Sequence, residues 1–336
     1  MTENIGRPPS PEPSPATAEP ARRVPGPPHF VLRRQPLPEH RPKPMEEDAG
    51  APAAIQAILR HPSYRQADQD VDFLNRNDVR GLRLQLDYMK AEVLMEGHGV
   101  AHTVVVFGST RIPEPETARR LVAACQAAAA TALDDPEAQR RLAIAQRVLD
   151  KSRYYDVARR FGQLVGAAGE RTSGGRIMVM TGGGPGIMEA ANRGVYDLGR
   201  ESIGLNVALP HDQFPNPYVT PDLCFRFHYF AMRKLHFLMR ARALVVFPGG
   251  YGTMDELFEV LTLVQTRKIR PLPVILVGEA YWRRVFDADF LVEEGVIEAE
   301  DRELFWFVET AEEIWADILR WYEAAGQPLL PPATAP

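Results

Sequence analysis

The sequence predicts an α/β protein built on a Rossmann-like, doubly wound parallel sheet. Short apolar runs that suit buried strands alternate with longer segments of helical periodicity, and glycine-rich turns follow two of the strands. The clearest unit is residues 243–260, ALVVFPGGYGTMDELFEV, in which a strand, a glycine turn and an amphipathic helix follow one another. Ligands of such sheets bind at the carboxyl ends of the strands, so both glycine turns are expected at one edge.

Seven strands and the helices between them are predicted in chain order. The strands are expected at residues 103–107, 176–180, 202–208, 224–229, 243–247, 273–277 and 305–308. Helical periodicity covers residues 116–168, 187–198, 230–240, a segment from Thr253 onward, 281–290 and 312–324. Within the first of these helical regions, the Asp- and Arg-rich residues 134–160 are expected to form an exposed helical excursion.

The chain outside the sheet divides into three parts. Thirteen of the 30 prolines fall in residues 1–50, which lack the apolar content to offset the entropy of ordering, so a disordered Pro-rich tail is expected there. Residues 51–100 read as a helical extension, followed by the sheet domain at 101–327 and a second tail at 328–336. Five apolar residues of the extension recur at helical spacing and are expected to pack on the core: Val79, Leu82, Leu86, Met89 and Val93.

Composition excludes several classes of protein. The formal charge of −5 gives no basic field for nucleic acid or for an acidic membrane. Two distant cysteines, Cys125 and Cys224, supply neither a disulfide framework nor a zinc knuckle, and no His, Cys or Asp cluster has metal-ligand spacing. No run reaches the ~18 apolar residues of a membrane helix, and the N-terminus lacks a signal peptide's apolar core. We therefore expect a cytoplasmic protein without metal or cofactor.

The two glycine turns are candidate anion sites. Each lies between a strand and a helix, so backbone N–H groups and the positive end of a helix dipole meet there, which suits a phosphate. The predicted phosphate- or nucleotide-binding residues are Gly249, Gly250, Gly252 and Thr253 in one turn and Gly183, Gly184 and Gly186 in the other. The alternative is that the glycines only make tight turns and that Thr253 and Glu256 form a T-x-x-E capping box.

Polar residues beside these turns are further candidates. Ser109 and Arg111, after the first strand, either reach a nucleotide or belong to a plain turn. Glu189 either binds ribose hydroxyls or caps its own helix. Arg233 and Lys234 stand early in their helix, where positive charge is unfavourable to the dipole, so they either form a solvated basic face or bind an anionic ligand.

Three motifs resemble the LONELY GUY (LOG) family. They are GGGPGIMEA at residues 182–190, MRK at 232–234 and PGGYGTMDE at 248–256, and the resemblance runs from about residue 104 to 321. It implies a homodimer or higher assembly and hydrolysis of the N-glycosidic bond of a nucleoside 5′-monophosphate, either a cytokinin ribotide or, as in bacterial relatives, AMP. It also implies Arg233 and Glu256 as the catalytic pair. Pro185 departs from the short plant-type motif, and residues 51–100 and 134–160 are similar to the longer bacterial branch.

The chemistry of base release fits a carboxylate beside the sugar, because positive charge develops at C1′ while the base leaves with negative charge. The rival hypothesis is a non-catalytic nucleotide sensor on the same fold, which would need neither Arg233 nor Glu256. A nicotinamide dehydrogenase is disfavoured because the first strand ends in GSTR instead of G-x-G-x-x-G, and a P-loop kinase because no GK[ST] follows either glycine turn. Proteins that look like this one are often labelled lysine decarboxylases, but no pyridoxal-phosphate lysine is recognisable around Lys234 or Lys268.

Overall fold

The computed structural model describes residues 41–132, 134–169, 175–209 and 214–330. These residues divide between Asp70 and Val71 into two compact units. The first unit contains one α-helix, α1 (Ala51–Arg60), whose side chains stay at least partly exposed. Most of the predicted Pro-rich tail lies outside the described residues. Its last ten residues, 41–50, are exposed turns and irregular chain.

The second unit contains a seven-stranded sheet in which every strand pairing is parallel. The strands are β1 (Val100–Phe107), β2 (Arg176–Thr181), β3 (Ile203–Val207), β4 (Cys224–Phe227), β5 (Ala241–Val246), β6 (Val274–Val277) and β7 (Trp306–Val308). Their order across the sheet is β4-β3-β2-β1-β5-β6-β7. The chain runs outward from β1 to β4 and then returns to the other side of β1, so β1 and β5 flank the topological switch point. The predicted fold class is confirmed.

Eleven α-helices of this unit lie before, between and after the strands in the described residues. They are α2 (Val71–Leu74), α3 (Arg80–Gly97), α4 (Pro115–Thr131), α5 (Pro136–Lys151), α6 (Arg153–Ala168), α7 (Ile187–Tyr196), α8 (Phe230–Met239), α9 (Tyr251–Gln265), α10 (Glu279–Trp282), α11 (Ala288–Glu293) and α12 (Ala311–Ala324). The continuous helix predicted at 281–290 is wrong, because the helical path stops after Trp282 and restarts at Ala288, where Asp287 caps α11 through its side chain.

Two apolar clusters cover the two faces of the sheet. Successive residues of a strand point to opposite faces, so Val104 and Val106 of β1 join one cluster while Val105 and Phe107 join the other. The first cluster includes residues of α6, α7 and α12, and the second includes residues of α3, α8 and α9. This burial on both faces explains the continuous apolar strands of the sequence.

Helix α3 packs on the sheet through a face different from the predicted one. Its buried residues are Ala91 and Met95, whereas four members of the predicted apolar stripe are 43% to 57% exposed: Leu82, Leu86, Met89 and Val93. Beside Ala91 and Met95, the inward side of α3 also carries acidic groups. Asp87 accepts hydrogen bonds from the backbone N–H groups of His228 and Tyr229, and Glu92 pairs with Arg240 at 2.6 Å. These bonds decide the rotation of the helix, so the expectation from apolar periodicity is wrong here.

The predicted exposed excursion is only half correct. Helix α5 is mostly exposed, but α6 buries seven residues against the core, including Tyr154 and Tyr155. Glycine explains this packing: a Cβ at Gly194 of α7 would lie 1.9 Å from the carbonyl oxygen of Arg159, so the two helix backbones approach closely only without it. The excursion is therefore α5 alone.

At its carboxyl end the chain still packs on the core at Leu329, which is 6% exposed. The predicted second tail therefore begins with packed residues, and 331–336 lie outside the described residues. Within the described part of the chain, no helix is long and apolar enough to cross a membrane.

Candidate functional site

A cavity of about 600 Å³ opens at the switch point between β1 and β5. Its lining includes the turn after β1, from Gly108 to Arg111, and the start of α9 after β5. The two turns are joined by a hydrogen bond from the backbone N–H of Ser109 to the carbonyl of Pro248, at 3.0 Å. Crevices at this point of a doubly wound sheet are the usual ligand sites of the fold.

The turn after β5 presents the N-terminus of α9 to the cavity. The helix begins at Tyr251 with Gly250 as its N-cap, and glycine has no side chain with which to cap it. Gly250, Gly252 and Thr253 line the cavity, and a Cβ at Gly250 or Gly252 would meet no heavy atom within 4 Å. Since Thr253 lies inside the first turn, the predicted alternative of a T-x-x-E capping box is wrong.

Gly249 serves a different purpose in the same turn. A Cβ at Gly249 would lie 2.1 Å from Oγ1 of Thr253, so a larger residue has no room there. The Gly249 carbonyl accepts a hydrogen bond from the Tyr281 hydroxyl. Gly249 therefore shapes the turn from behind, and it is not among the residues that line the cavity.

Arg233 and Glu256 meet in the cavity wall. Arg233 comes from α8 and Glu256 from α9, and Nη2 of the arginine lies 3.4 Å from Oε1 of the glutamate. Glu256 is only 5% exposed. Among the described residues, no atom accepts a hydrogen bond from the buried Nε of Arg233. A buried donor without a protein partner is costly, and a bound ligand could satisfy it.

Burial sets the ionisation of this pair. It raises the pKa of the Glu256 carboxyl to about 7, although the positive charges of Lys234 and Arg233 act in the opposite direction. Burial also lowers the pKa of the Arg233 guanidinium, against the opposing effect of Glu256. A carboxyl with a strongly perturbed pKa in a cleft, beside a guanidinium, is typical of a functional site.

The sequence analysis missed the apolar side of the cavity. Its lining includes six apolar side chains: Phe107, Met188, Val207, Leu209, Phe230 and Phe237. Two of them also contact Arg233, whose Cζ lies 4.7 Å from the ring centre of Phe230 and 5.6 Å from that of Phe237. A signal was available, because these aromatics stand three residues before and four residues after Arg233, on one face of α8.

The glycine turn after β2, residues 182–186, lies beside the cavity but contributes little to its surface. Gly182 is part of the lining, whereas Gly183, Gly184 and Gly186 are buried behind it. The backbone N–H of Gly183 donates to Oγ1 of Thr181 at 2.9 Å, and that of Ile187 donates to the Ser109 carbonyl at 3.2 Å. Some donors of this turn are thus already used within the protein, and ligand binding by its three buried glycines stays a prediction.

Asn216 holds the glycine turn after β2 in place. Its backbone N–H donates to the Gly183 carbonyl at 2.8 Å, and its side-chain amide donates to the carbonyl of Gly184 and to Oδ1 of Asn192. A Cβ at Gly186, where φ is +73°, would lie 2.4 Å from the Ser109 carbonyl oxygen. The turn therefore fixes the backbone of Ser109, whose neighbours line the cavity.

Besides these glycines, two predicted polar binding residues lie outside the lining. Nζ of Lys234 is 2.9 Å from Asp255 and 3.0 Å from Glu259, so its charge ties α8 to α9. Glu189 accepts a hydrogen bond from the Tyr155 hydroxyl at 2.9 Å. Ser109 and Arg111 do line the cavity, and their contact with a nucleotide stays a prediction. Among the described residues, no group of three His, Cys, Asp or Glu side chains could hold a metal ion.

Fold and site together define a class: an α/β protein with an anion-ready helix N-terminus and a buried carboxyl–guanidinium pair in one crevice. Comparison with known proteins narrows this class. A probable cytokinin riboside 5′-monophosphate phosphoribohydrolase, LOGL3 of Oryza sativa subsp. japonica, is 30% identical over 176 residues, which is 49% of this chain and 75% of that protein. The LOG3 enzyme of Arabidopsis thaliana, which carries the same activity in its name, is 32% identical over 169 residues, 49% of this chain and 74% of that protein. The chain belongs to the LOG family.

A family model and a solved structure also match parts of this chain. A family model described as possible lysine decarboxylase matches residues 188–318, which include Arg233 and Glu256. The X-ray structure of TM1055 matches 65% of this chain and 99% of its own length at 20% identity, with a TM-score of 0.40.

Proposed function

We propose that this protein hydrolyses the N-glycosidic bond of a nucleoside 5′-monophosphate, releasing the free base and ribose 5-phosphate. The observation that carries the proposal is the Arg233–Glu256 contact of 3.4 Å inside a cavity that also receives the N-terminus of α9. The names of the LOG relatives, cytokinin riboside 5′-monophosphate phosphoribohydrolases, support the reaction class.

The 5′-phosphate is placed at the start of α9. The first backbone N–H groups of a helix have no partner within the helix, and the helix dipole favours negative charge there. Gly250 and Gly252 leave this backbone open to the cavity. Glu256, one turn further along the same helix, then stands about one sugar away from the phosphate.

The reaction needs three events at the sugar. The bond from C1′ to the base nitrogen breaks and its electron pair stays on the base, water adds to C1′, and a proton moves from the water to the departing base. The ionised Glu256 carboxylate stabilises the positive charge at C1′ and orients the water. Because the pKa of this carboxyl is about 7, it also takes up or releases a proton near neutral pH.

Arg233 binds the substrate and holds the carboxylate. Its Nη2 lies beside Glu256, and its guanidinium lines the cavity, where it donates to an oxygen of the nucleotide. Phe230 and Phe237 fix the guanidinium plane by contact with Arg233. The apolar lining that continues to Val207 and Leu209 provides a surface for a purine base.

Substrate choice and catalysis are tested together by a product assay. Purified protein is incubated with AMP, other nucleoside monophosphates and cytokinin ribotides, and the free base is measured by chromatography. We expect base release from AMP or a cytokinin ribotide, and its loss in Glu256→Gln. Glu259→Gln is the matched control, because Glu259 lies on the same helix one turn away and binds Lys234 outside the cavity. Equal rates in wild type and Glu256→Gln would refute the catalytic assignment, and tight binding without turnover would favour a sensor.

The expected assembly is a homodimer or higher homo-oligomer in the cytoplasm. The apolar stripe of α3, made of Leu82, Leu86, Met89 and Val93, supports an interface between copies because each side chain is 43% to 57% exposed. We expect Leu86→Glu/Met89→Glu to shift the protein towards the monomer in sedimentation velocity. An unchanged sedimentation coefficient would exclude this surface as the interface.

A further inference from the structure

A second cavity, of about 820 Å³, lies where the end of α5, the start of α6 and the segment around α10 meet. Four basic side chains line it: Arg147, Lys151, Arg153 and Arg284. Asp150 is the acidic residue of the lining. This concentration of positive charge stands out in a chain whose formal charge is −5.

Most of this charge has no protein counter-ion. Among the described residues, no carboxylate lies within 4.0 Å of the charged nitrogens of Arg147, Lys151 or Arg284. Arg153 reaches Glu309 at 3.4 Å, but the two side chains are 67% and 46% exposed, so the pair contributes little. Burial and the neighbouring Arg147 lower the pKa of Lys151, while Asp150 acts in the opposite direction.

Helix dipoles explain only part of the cluster. Arg147 and Lys151 lie in the last turns of α5, where positive charge is favourable. Arg153 lies at the first position of α6, where it is unfavourable, and Arg284 comes from the segment after α10. Basic groups from three elements therefore line one cavity, where a bound anion would supply the missing counter-charge.

We propose that this cavity binds a phosphorylated small molecule. Three guanidinium groups and one ammonium group can donate several charge-assisted hydrogen bonds to phosphate oxygens, and arginine suits phosphate because its donors form a planar fork. A cavity of about 820 Å³ has the size of a small-molecule site. The negative charge of the whole chain argues against nucleic acid as the ligand.

The second cavity is connected to the first through Tyr281. This residue lines the basic cavity, and its hydroxyl donates to the carbonyl of Gly249, in the turn that presents α9 to the nucleotide cavity. Tyr281 is thus a positioning residue through which an occupant of the basic cavity alters substrate binding. This second step rests on the proposed function, whereas anion binding in the basic cavity does not.

Calorimetry with inorganic pyrophosphate tests the site itself. The measurement uses Gly252→Ala, because its added methyl group obstructs the anion position at α9. In this background we expect pyrophosphate binding to weaken about tenfold or more when Arg147→Gln and Arg284→Gln are added, because each substitution removes a charged contact with the anion. The control adds Arg119→Gln and Arg120→Gln to the same background, at two exposed positions of α4. Its affinity for pyrophosphate should stay within about twofold of that of Gly252→Ala alone. Absent binding, or equal effects of the two pairs, would overturn the proposal.

Kinetics test the connection. We expect pyrophosphate to change KM for the nucleotide more in wild type than in Arg147→Gln/Arg284→Gln, with little effect on kcat. Tyr281→Phe should still bind pyrophosphate in calorimetry but show the smaller KM change of the double variant. A wild-type response in Tyr281→Phe would overturn the connection. If wild type hydrolyses no nucleotide, the proposed function fails while calorimetry still decides the site.

Discussion

Replacing Glu256 with glutamine should stabilise the protein while abolishing base release. Burial raises the pKa of this carboxyl from its ordinary 4.5 to about 7, so ionising it in the folded state costs more than in the unfolded chain. The difference corresponds to about 3 kcal/mol, an upper value for the gain from removing the charge. Glutamine keeps the shape and removes the ionisation.

The pH dependence gives the sharper test. Below pH 4.5 the carboxyl is protonated in both the folded and the unfolded state. The free energies of unfolding of wild type and Glu256→Gln should therefore differ least there. As pH rises from 4.5 to about 7, the unfolded chain loses this proton while the folded protein keeps it, and the stability of wild type relative to the variant falls. Above about pH 7 the difference should level off.

Urea unfolding of both proteins across pH 4 to 8 measures this difference. The Glu259→Gln control should show no comparable change, because Glu259 is bound to Lys234 and is partly exposed. The explanation by a desolvated carboxyl would be refuted if the difference in unfolding free energy between wild type and Glu256→Gln did not change across this pH range. In wild type, base release should rise with pH through about 7 as the carboxylate forms.

Three further predictions concern the walls of the cavity. Gly252→Ala should raise the free energy of unfolding by up to about 1 kcal/mol in urea unfolding, because alanine favours the helix. In initial-rate measurements it should raise KM for the nucleotide about tenfold. An unchanged KM would mean that phosphate does not bind at α9. Arg233→Lys should lower kcat at least tenfold although it keeps the charge, because it removes the buried Nε, and near-wild-type kcat would exclude a specific role for the guanidinium. Asn216→Ala should cost about 2 kcal/mol of unfolding free energy, measured in urea, because it leaves the Gly184 carbonyl without its donor, and a cost near zero would contradict this role.

The parts of the fold that depend on local pattern could be predicted from the sequence. The central strands β1, β2, β5 and β6 are buried on both faces and therefore appear as continuous apolar runs, and the glycine turns mark where β2 and β5 end. The position of both glycine turns at one edge of the sheet followed from the parallel topology. Arg233 and Glu256, 23 positions apart, could be brought together only through the family resemblance, and the structure gives their contact.

The failures of sequence analysis share a physical cause: packing partners that are distant in sequence. The apolar periodicity of α3 could not reveal that Asp87 and Glu92 bind groups from the segments around β4 and α8 and turn the stripe outward. The close approach of α6 to α7 depends on Gly162 and Gly194, which in a helical pattern look merely unfavourable. The spacing on α8 marked Phe230 and Phe237 as neighbours of Arg233, but the lining by Val207 and Leu209 could not be inferred while the packing of α8 against β3 was unknown.

The contact between Gly249 and Thr253 limits how this turn can change. A methyl group at position 249 would overlap the threonine's Cβ as well as its Oγ1, at 2.5 Å and 2.1 Å, so shortening the threonine to alanine brings no relief. Only glycine at position 253 would make room for that methyl group, and it would leave the first turn of α9 with adjacent glycines and a less stable start. Random libraries at these two positions should therefore keep glycine at 249, which makes it an unsuitable target for redesigning substrate choice compared with Gly250 or Phe230.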